Sequence, residues 1–348
     1  MAANCILNKQ IGCSILLWRI HRHFFFRFRW GKRRAVVFLR FPGRAVFCDR
    51  RHSLMKHTRI LAALTILLLL AGPVGACADV LKLPMDFSGG TKPQRGYEIG
   101  LMEYEDPSIH VVRQSERPIL PDGKETRLYV LRVKIADASQ LRTVSMQGFD
   151  KRGRVGNIEV MANRVNAVVA FNGDYFCGDA KRYVLRQGTV FKESMGPNQD
   201  ILLIDEDGDF HVLLAEEHPE EMDKTQINGK KVVNALCFGP ALIKDGVKNT
   251  NLNTAPLYCE PEKKTERLVL CQIGPLEYMV VACAHRGLGL SEFTDLIFWL
   301  EPNVQQAYNL DGGISTQMLF LGQRINNTSS KDIRKLVDIV YFASAYQP

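Results

Sequence analysis

Apolar and polar positions along most of the chain follow short, strand-like periods, and the longer helical period is rare. Residues 127–135 alternate in part and are rich in branched and aromatic side chains, as a half-buried strand requires. Residues 232–238, 267–273, 277–283 and 337–342 read in the same way. The apolar runs 201–204 and 210–214 flank Asp205-Glu206-Asp207-Gly208-Asp209, which predicts a hairpin closed by an Asp-Gly turn. That acidic tip does not fit an EF-hand calcium loop, whose glycine stands sixth, because Gly208 is fourth from Asp205. Residues 158–166 predict a helix leading into the buried strand 167–171. A second helix is predicted over 291–300, with Ser291 as its N-cap and acids in its first turn. Residues 304–310 predict a strand that ends in Asp311-Gly312-Gly313. Residues 79–97 carry Pro84, Gly89, Gly90, Pro93 and Gly96, and read as a linker or first loop. The expected fold class is α+β. A single mixed domain at 125–348 is built on a large, mostly antiparallel sheet with flanking helices, behind a linker and N-terminal segment at 79–124.

The first 78 residues obey a different pattern. Residues 60–76 carry no charge, follow Met55-Lys56-His57-Thr58-Arg59 and lead into Ala76-Cys77-Ala78-Asp79. A short basic start, an apolar run and an A-x-A site predict a secretory signal peptide at 55–78, cleaved after Ala78. The run is at the short limit for a spanning helix, and Gly72-Pro73 interrupts it. Residues 1–54 are far too long for a signal-peptide n-region, and are basic and aromatic without a helical or alternating period. Met55 is therefore the expected start, and 1–54 a non-native leader or basic arm. Two alternatives stay open: an uncleaved anchor with the basic arm held inside, and lipidation of Cys77, for which Gly75 is a poor fit. All three routes export residues 79–348 to a periplasmic, extracellular or cell-surface location.

The net charge of the 348-residue chain is +8, a balance that would normally point to nucleic acid or an acidic membrane. Its distribution removes that reading. Residues 1–78 hold 14 basic side chains against one acid, Asp49, so the remaining body is mildly acidic at −5. No nucleic-acid partner is expected, and a membrane is met only through the N-terminal apolar segment if it stays uncleaved. The body carries Cys177, Cys237, Cys259, Cys271 and Cys283, an odd number that leaves at least one free thiol. No C-x-x-C pair occurs and histidine is sparse, which argues against a zinc site. Cys271 and Cys283 lie in apolar stretches, where a buried, inert thiol is the common case.

Two segments end apolar strands in small, polar, loop-forming residues: Phe171-Asn172-Gly173-Asp174-Tyr175-Phe176 and Asn309-Leu310-Asp311-Gly312-Gly313-Ile314-Ser315-Thr316. Each alone is adequately explained as a hairpin turn. Together, glycines that permit close backbone approach and carboxylates beside them suggest one cleft. Two further segments follow the same order, Phe238-Gly239-Pro240-Ala241-Leu242-Ile243-Lys244-Asp245-Gly246 and Gly289-Leu290-Ser291-Glu292-Phe293-Thr294-Asp295-Leu296. On these four segments the chain resembles the phosphodiester glycosidases over about residues 125–345. The Leu-Asp-Gly-Gly-x-Ser stretch at 310–315 is the most specific match. The family's Arg-Thr-Ala-aliphatic-Gly strand appears here as Arg267-Leu268-Val269-Leu270-Cys271, and its Asp-Gly-Arg as Ala284-His285-Arg286.

The resemblance implies an exported hydrolase that cleaves a sugar-1-phosphodiester at the C1–O bond, releasing sugar from a phosphorylated glycan or envelope polymer. A phosphate leaving group is a weak base, so the site needs cationic donors on phosphate more than a strong acid. It also needs a carboxylate for the oxocarbenium-like centre or the attacking water. Arg267 and Arg286 are the expected phosphate donors and Asp174 and Asp311 the expected carboxylates. Asn172, Gly173, Gly312, Gly313, Ser315 and Thr316 would bind substrate, with His285 a reserve acid–base group. Taken singly, Arg286 could be a surface charge and Asp311 a turn residue. Asn172, Asp174 and Asp311 offer oxygen to hard cations but no ligand spacing, so no cofactor is expected and a divalent cation stays an open alternative. The rival readings are a non-catalytic glycan-binding or envelope-associated protein on the same fold, and a phosphodiesterase cutting P–O.

Overall fold

The computed structural model describes residues 13–20, 23–30, 33–39, 80–150, 154–177, 182–219, 221–254, 259–283, 286–327 and 333–347. The chain divides into two units, residues 1–75 and 76–348. In the first, Cys13–Ile20, His23–Trp30 and Arg33–Leu39 form an antiparallel meander, in a stretch whose sequence shows no strand period. Residues 40–79, with the expected signal peptide and Cys77, lie outside the described residues. No described helix is long and apolar enough to cross a membrane.

The second unit is dominated by three antiparallel sheets rather than one. The largest has nine strands, with Gln306–Leu310, Leu268–Gly274, Glu277–Cys283 and Leu128–Ile135 adjacent at its centre. A six-stranded sheet contains Val184–Arg186, Lys230–Leu236 and Ile201–Asp205. A five-stranded sheet places Ala167–Asn172 between Met318–Phe320 and Asp338–Ala343. Their inner faces meet in one core that includes Leu131, Phe171, Leu202, Ile204, Leu270, Val280 and Phe342. Central strands buried on both faces lose the strict alternation of half-buried ones. This is why 167–171 is a continuous apolar run.

Only two α-helices occur among the described residues, so flanking helices are a smaller part of the fold than expected. Leu290–Leu300 buries Leu290, Phe293 and Ile297 against Val269, Met279 and Val281 on the outer face of the large sheet. Ile158–Arg164 buries Ile158, Met161 and Ala162 against Ala170, Ile339 and Tyr341 of the five-stranded sheet. The N-cap of the longer helix is Gly289, not Ser291, and Glu292 Oε2 accepts from the Gly289 N–H at 3.3 Å. Residues 98–116, placed by their sequence ahead of the domain, contribute Glu98–Ile99, Glu103–Asp106 and Ile109–Glu116 to the edge of the nine-stranded sheet.

The expected hairpin forms, with Ile201–Asp205 paired to Phe210–Leu213. Asp205 accepts from the N–H groups of Asp207 and Asp209, and Lys230 ion-pairs with Asp205, Asp207 and Asp209. The acidic tip thus carries its own cation. All five body cysteines are free thiols, and Cys237, Cys271 and Cys283 are buried.

Candidate active site

The Ala167–Asn172 and Gln306–Leu310 strands belong to different sheets, yet their C-terminal ends meet. Asn172 ties them. Its Nδ2 donates to the Asp311 main-chain carbonyl at 2.7 Å, and its Oδ1 accepts from the Gln317 N–H at 3.1 Å. Beside this junction lies a small cleft of about 30 Å³, partly open to solvent. Asp311, Asp338, Ser315, Tyr175 and Arg334 line it, together with Asn172 and Gly173.

Two glycines are required by close approach. A Cβ on Gly173 would lie 2.2 Å from Asp338 Oδ2, and one on Gly312 would lie 2.7 Å from the Glu266 carbonyl oxygen. Neither neighbour is a free-swinging group. Gly313 adds a left-handed φ of 59° and hydrogen-bonds the Glu266 carbonyl through its N–H at 2.8 Å.

The two cleft carboxyl groups have different surroundings. Burial pushes Asp311 up from the ordinary carboxylate range, while the Ser315 hydroxyl, Arg334, Arg182 and the Gly312 N–H pull it back. Asp338 is fully buried at the start of the Asp338–Ala343 strand, and its Oδ2 has no hydrogen-bond partner among the described residues. Burial first, and then the negative charge of Asp174, push Asp338 up to about 8, although Arg186 Nη2 stands 3.8 Å from Oδ2. At neutral pH Asp338 therefore largely keeps its proton, whereas at Asp311 the pull of these donors opposes, without cancelling, the upward push of burial.

Asp174 does not share the cleft as expected. It is fully buried, Oδ1 accepts from Arg186 Nη2 at 2.7 Å, and Oδ2 accepts from the Cys237 N–H at 2.8 Å. Its carboxylate is spent on fixing the six-stranded sheet against the motif loop. Arg267 is likewise occupied. Its side chain donates to the carbonyls of Leu288 (3.1 Å), Glu260 (2.6 Å) and Lys263 (2.8 Å) and to Cys259 Sγ (3.6 Å), so it staples loops instead of facing the cleft. Arg286 is exposed in a turn and is not among the cleft residues. His285 lies outside the described residues.

Of the expected binding residues, Asn172, Gly173 and Ser315 line the cleft, with Ser315 Oγ accepting from Arg334 Nη1 at 3.2 Å. Gly312 and Gly313 shape the turn behind Asp311. Thr316 is buried, and its hydroxyl has no partner among the described residues. Of the expected hard-cation trio, the Asn172 amide and both Asp174 oxygens already hold hydrogen bonds. Elsewhere, Glu103, Glu105 and His110 bring ligand atoms within 4.8 Å of one another on two adjacent strands near the edge of the nine-stranded sheet.

Sequence reading passed over Asp338, Arg334 and Arg182. One signal was available for Asp338, a single acid inside the apolar strand run 337–342. A buried strand carries a carboxyl group only for a reason. Arg334 and Arg182 stand in no recognisable motif.

The phosphodiester glycosidase family matches residues 165–343, just over half of the chain. The catalytic domain of zebrafish N-acetylglucosamine-1-phosphodiester alpha-N-acetylglucosaminidase, in a form auto-inhibited by its pro-peptide, superposes with a TM-score of 0.54 at 15% identity. That match covers 74% of this chain and 87% of the zebrafish domain, and shows a shared fold. A hypothetical protein from Synechocystis gives a TM-score of 0.44 at 14% identity, covering 67% of this chain and 62% of its own. A protein of Burkholderia pseudomallei K96243 gives 0.46 at 12% identity, covering 65% and 75%. No curated protein matches the chain.

Proposed function

Since this chain belongs to the phosphodiester glycosidase family, we propose that it is an exported hydrolase that cleaves the C1–O bond of a sugar-1-phosphodiester within a phosphorylated glycan. The observation that carries this reading is the pair of unlike carboxyl groups in one cleft. At Asp311 the Ser315 hydroxyl, the Gly312 N–H and two arginines counter the push of burial, whereas Asp338 is buried with an oxygen that has no hydrogen-bond partner among the described residues.

Glycosyl transfer to water needs negative charge at C1 and a proton for the departing oxygen. Asp311 supplies the charge, either to the oxocarbenium-like carbon or by taking a proton from the attacking water. Asp338 supplies the proton or, since phosphate leaves readily, a neutral hydrogen bond to a phosphate oxygen. Ionised, it would repel the phosphate. Water adds to C1, the C1–O bond breaks with its electron pair on oxygen, and free sugar and a phosphomonoester result. Arg334 and Lys335 are exposed at the rim and offer positive charge to the approaching phosphodiester.

The test is hydrolysis of a panel of sugar-1-phosphodiesters in oxygen-18 water, with released reducing sugar and label position as readouts. C1–O cleavage puts the label on the sugar. Label on phosphate would assign a phosphodiesterase, and no hydrolysis with retained glycan binding would assign a binding protein.

A further inference from the structure

We propose that Arg182 is the anion clamp of this site, holding the phosphate group through Nε and Nη2. This deepens the hydrolase reading, which supplies the identity of the anion. Arg182 is fully buried. Nη1 donates to the carbonyls of Asp174 (2.5 Å) and Cys237 (3.2 Å), which fixes the plane of the guanidinium. Nε and Nη2 are buried with no hydrogen-bond partner among the described residues. No carboxylate lies within ion-pair distance of Arg182 among the described residues; Arg186, four residues on, is the one that pairs with Asp174.

A buried guanidinium whose only hydrogen bonds among the described residues go to carbonyls, with Nε and Nη2 left without a partner, is an unfinished anion site. Burial of an unbalanced charge is otherwise heavily disfavoured. Adjacent Nε–H and Nη2–H donors form the fork that meets two phosphate oxygens at once. The charge of Arg182 reaches the reacting groups, since it lowers the proton affinity of both Asp311 and Asp338.

Tyr175 connects Arg182 to the cleft. Its ring lies 6.0 Å from the Arg182 guanidinium carbon, with the Phe238 ring at 5.2 Å. Tyr175 also lines the cleft, is 39% exposed and holds a left-handed φ of 55°. Among the described residues it alone both walls the cleft and stacks on Arg182.

Inorganic phosphate is the probe, and the wild-type protein suffices for the first arm. The Arg182 Nε–H resonance, assigned through bonds in arginine-labelled protein, should shift saturably as phosphate is added. In the second arm, Arg182→Lys should weaken phosphate binding by roughly tenfold or more, the scale of a lost charge-assisted hydrogen bond. It should raise KM for a sugar-1-phosphodiester while Asp311→Asn keeps phosphate binding and loses turnover. A resonance unmoved by phosphate, or wild-type phosphate affinity in Arg182→Lys, overturns the clamp. If Arg182→Lys does not fold, the wild-type resonance alone decides. Phosphate at Arg182 without hydrolysis of any sugar phosphodiester would keep the clamp and end the hydrolase reading, and the reverse result would do the opposite.

Discussion

Asn172 Nδ2 donates to the main-chain carbonyl of Asp311 at 2.7 Å, joining residues 139 positions apart at the ends of strands in two different sheets. The same side chain accepts from the Gln317 N–H at 3.1 Å. A side chain that both donates and accepts is needed here, which an amide provides and a carboxylate does not. The turn that carries Asp311 is therefore set by a residue of the Asn172-Gly173-Asp174 segment, and the cleft exists because the two ends are bolted together.

Replacing that bolt should misplace Asp311 more than it unfolds the protein. Asn172→Asp keeps the acceptor for Gln317 but loses the donor to Asp311 and adds a charge nearby. Turnover should fall roughly 10²-fold, the effect of a small misplacement at a reacting group, with a stability loss of about 1–3 kcal/mol. Steady-state kinetics and urea denaturation read the two effects separately. Unchanged turnover would remove Asn172 from the positioning of Asp311.

Asp174 should behave as a structural anion. Asp174→Asn leaves Arg186 buried opposite a neutral amide and should cost about 3–5 kcal/mol of stability. Denaturant midpoints measure this directly. A variant of wild-type stability with abolished turnover would instead return Asp174 to the chemistry.

Arg267→Lys separates stapling from catalysis in the opposite direction. One ammonium cannot reach the carbonyls of Leu288, Glu260 and Lys263 at once. Stability should fall by about 2 kcal/mol or more, while kcat of the folded protein stays within a few-fold of wild type. A large loss of kcat with an unchanged melting point would contradict the staple.

Much of the architecture was legible because strand periods and Gly-Asp punctuation are local. The hairpin at 201–213, the helix entered after Asn157 and the strand that stops before Asp311 all follow from neighbours in sequence. The direction of a buried side chain is not local. Asp174 and Asp311 look alike in sequence, each after an apolar strand and beside glycine, but only Asp311 points to the cleft. What separates them is Arg186 and the Cys237 N–H, which arrive from the six-stranded sheet. Arg267 likewise takes its role from carbonyls in loops that sequence does not bring together. The division into three sheets was hidden for the same reason, since period reveals a strand and not its partner.

The buried carboxyl group of Asp338 makes a pH prediction. Its proton affinity is raised from an ordinary value of 3.8 to about 8, so between these values the folded state binds more protons than the unfolded state. Stability is then greatest at the acid end of that window and declines as pH rises to about 8. Asp338→Asn should remove this decline and gain stability relative to wild type at pH 8 and above. In kinetics, kcat/KM should fall through an apparent pKa near 8 as the ionised group repels the phosphate. Denaturation and pH–rate profiles of both proteins check it, and an identical pH dependence in the variant would exclude Asp338 as the titrating group.

The central claim is that Asp311 acts on the sugar at C1, and Asp311→Asn on a sugar-1-phosphodiester tests it most directly. Asn retains an oxygen to accept from the Ser315 hydroxyl and the Gly312 N–H, and the Asn172 bond to the main-chain carbonyl is untouched. The melting point should therefore stay close to wild type, or rise as a buried charge is removed. Reducing-sugar release should fall roughly 10²-fold or more, as for loss of a positioned reacting group. Turnover within a few-fold of wild type in a well-folded Asp311→Asn protein would show that Asp311 only shapes its turn, and the assignment of the cleft as the reaction centre would be wrong.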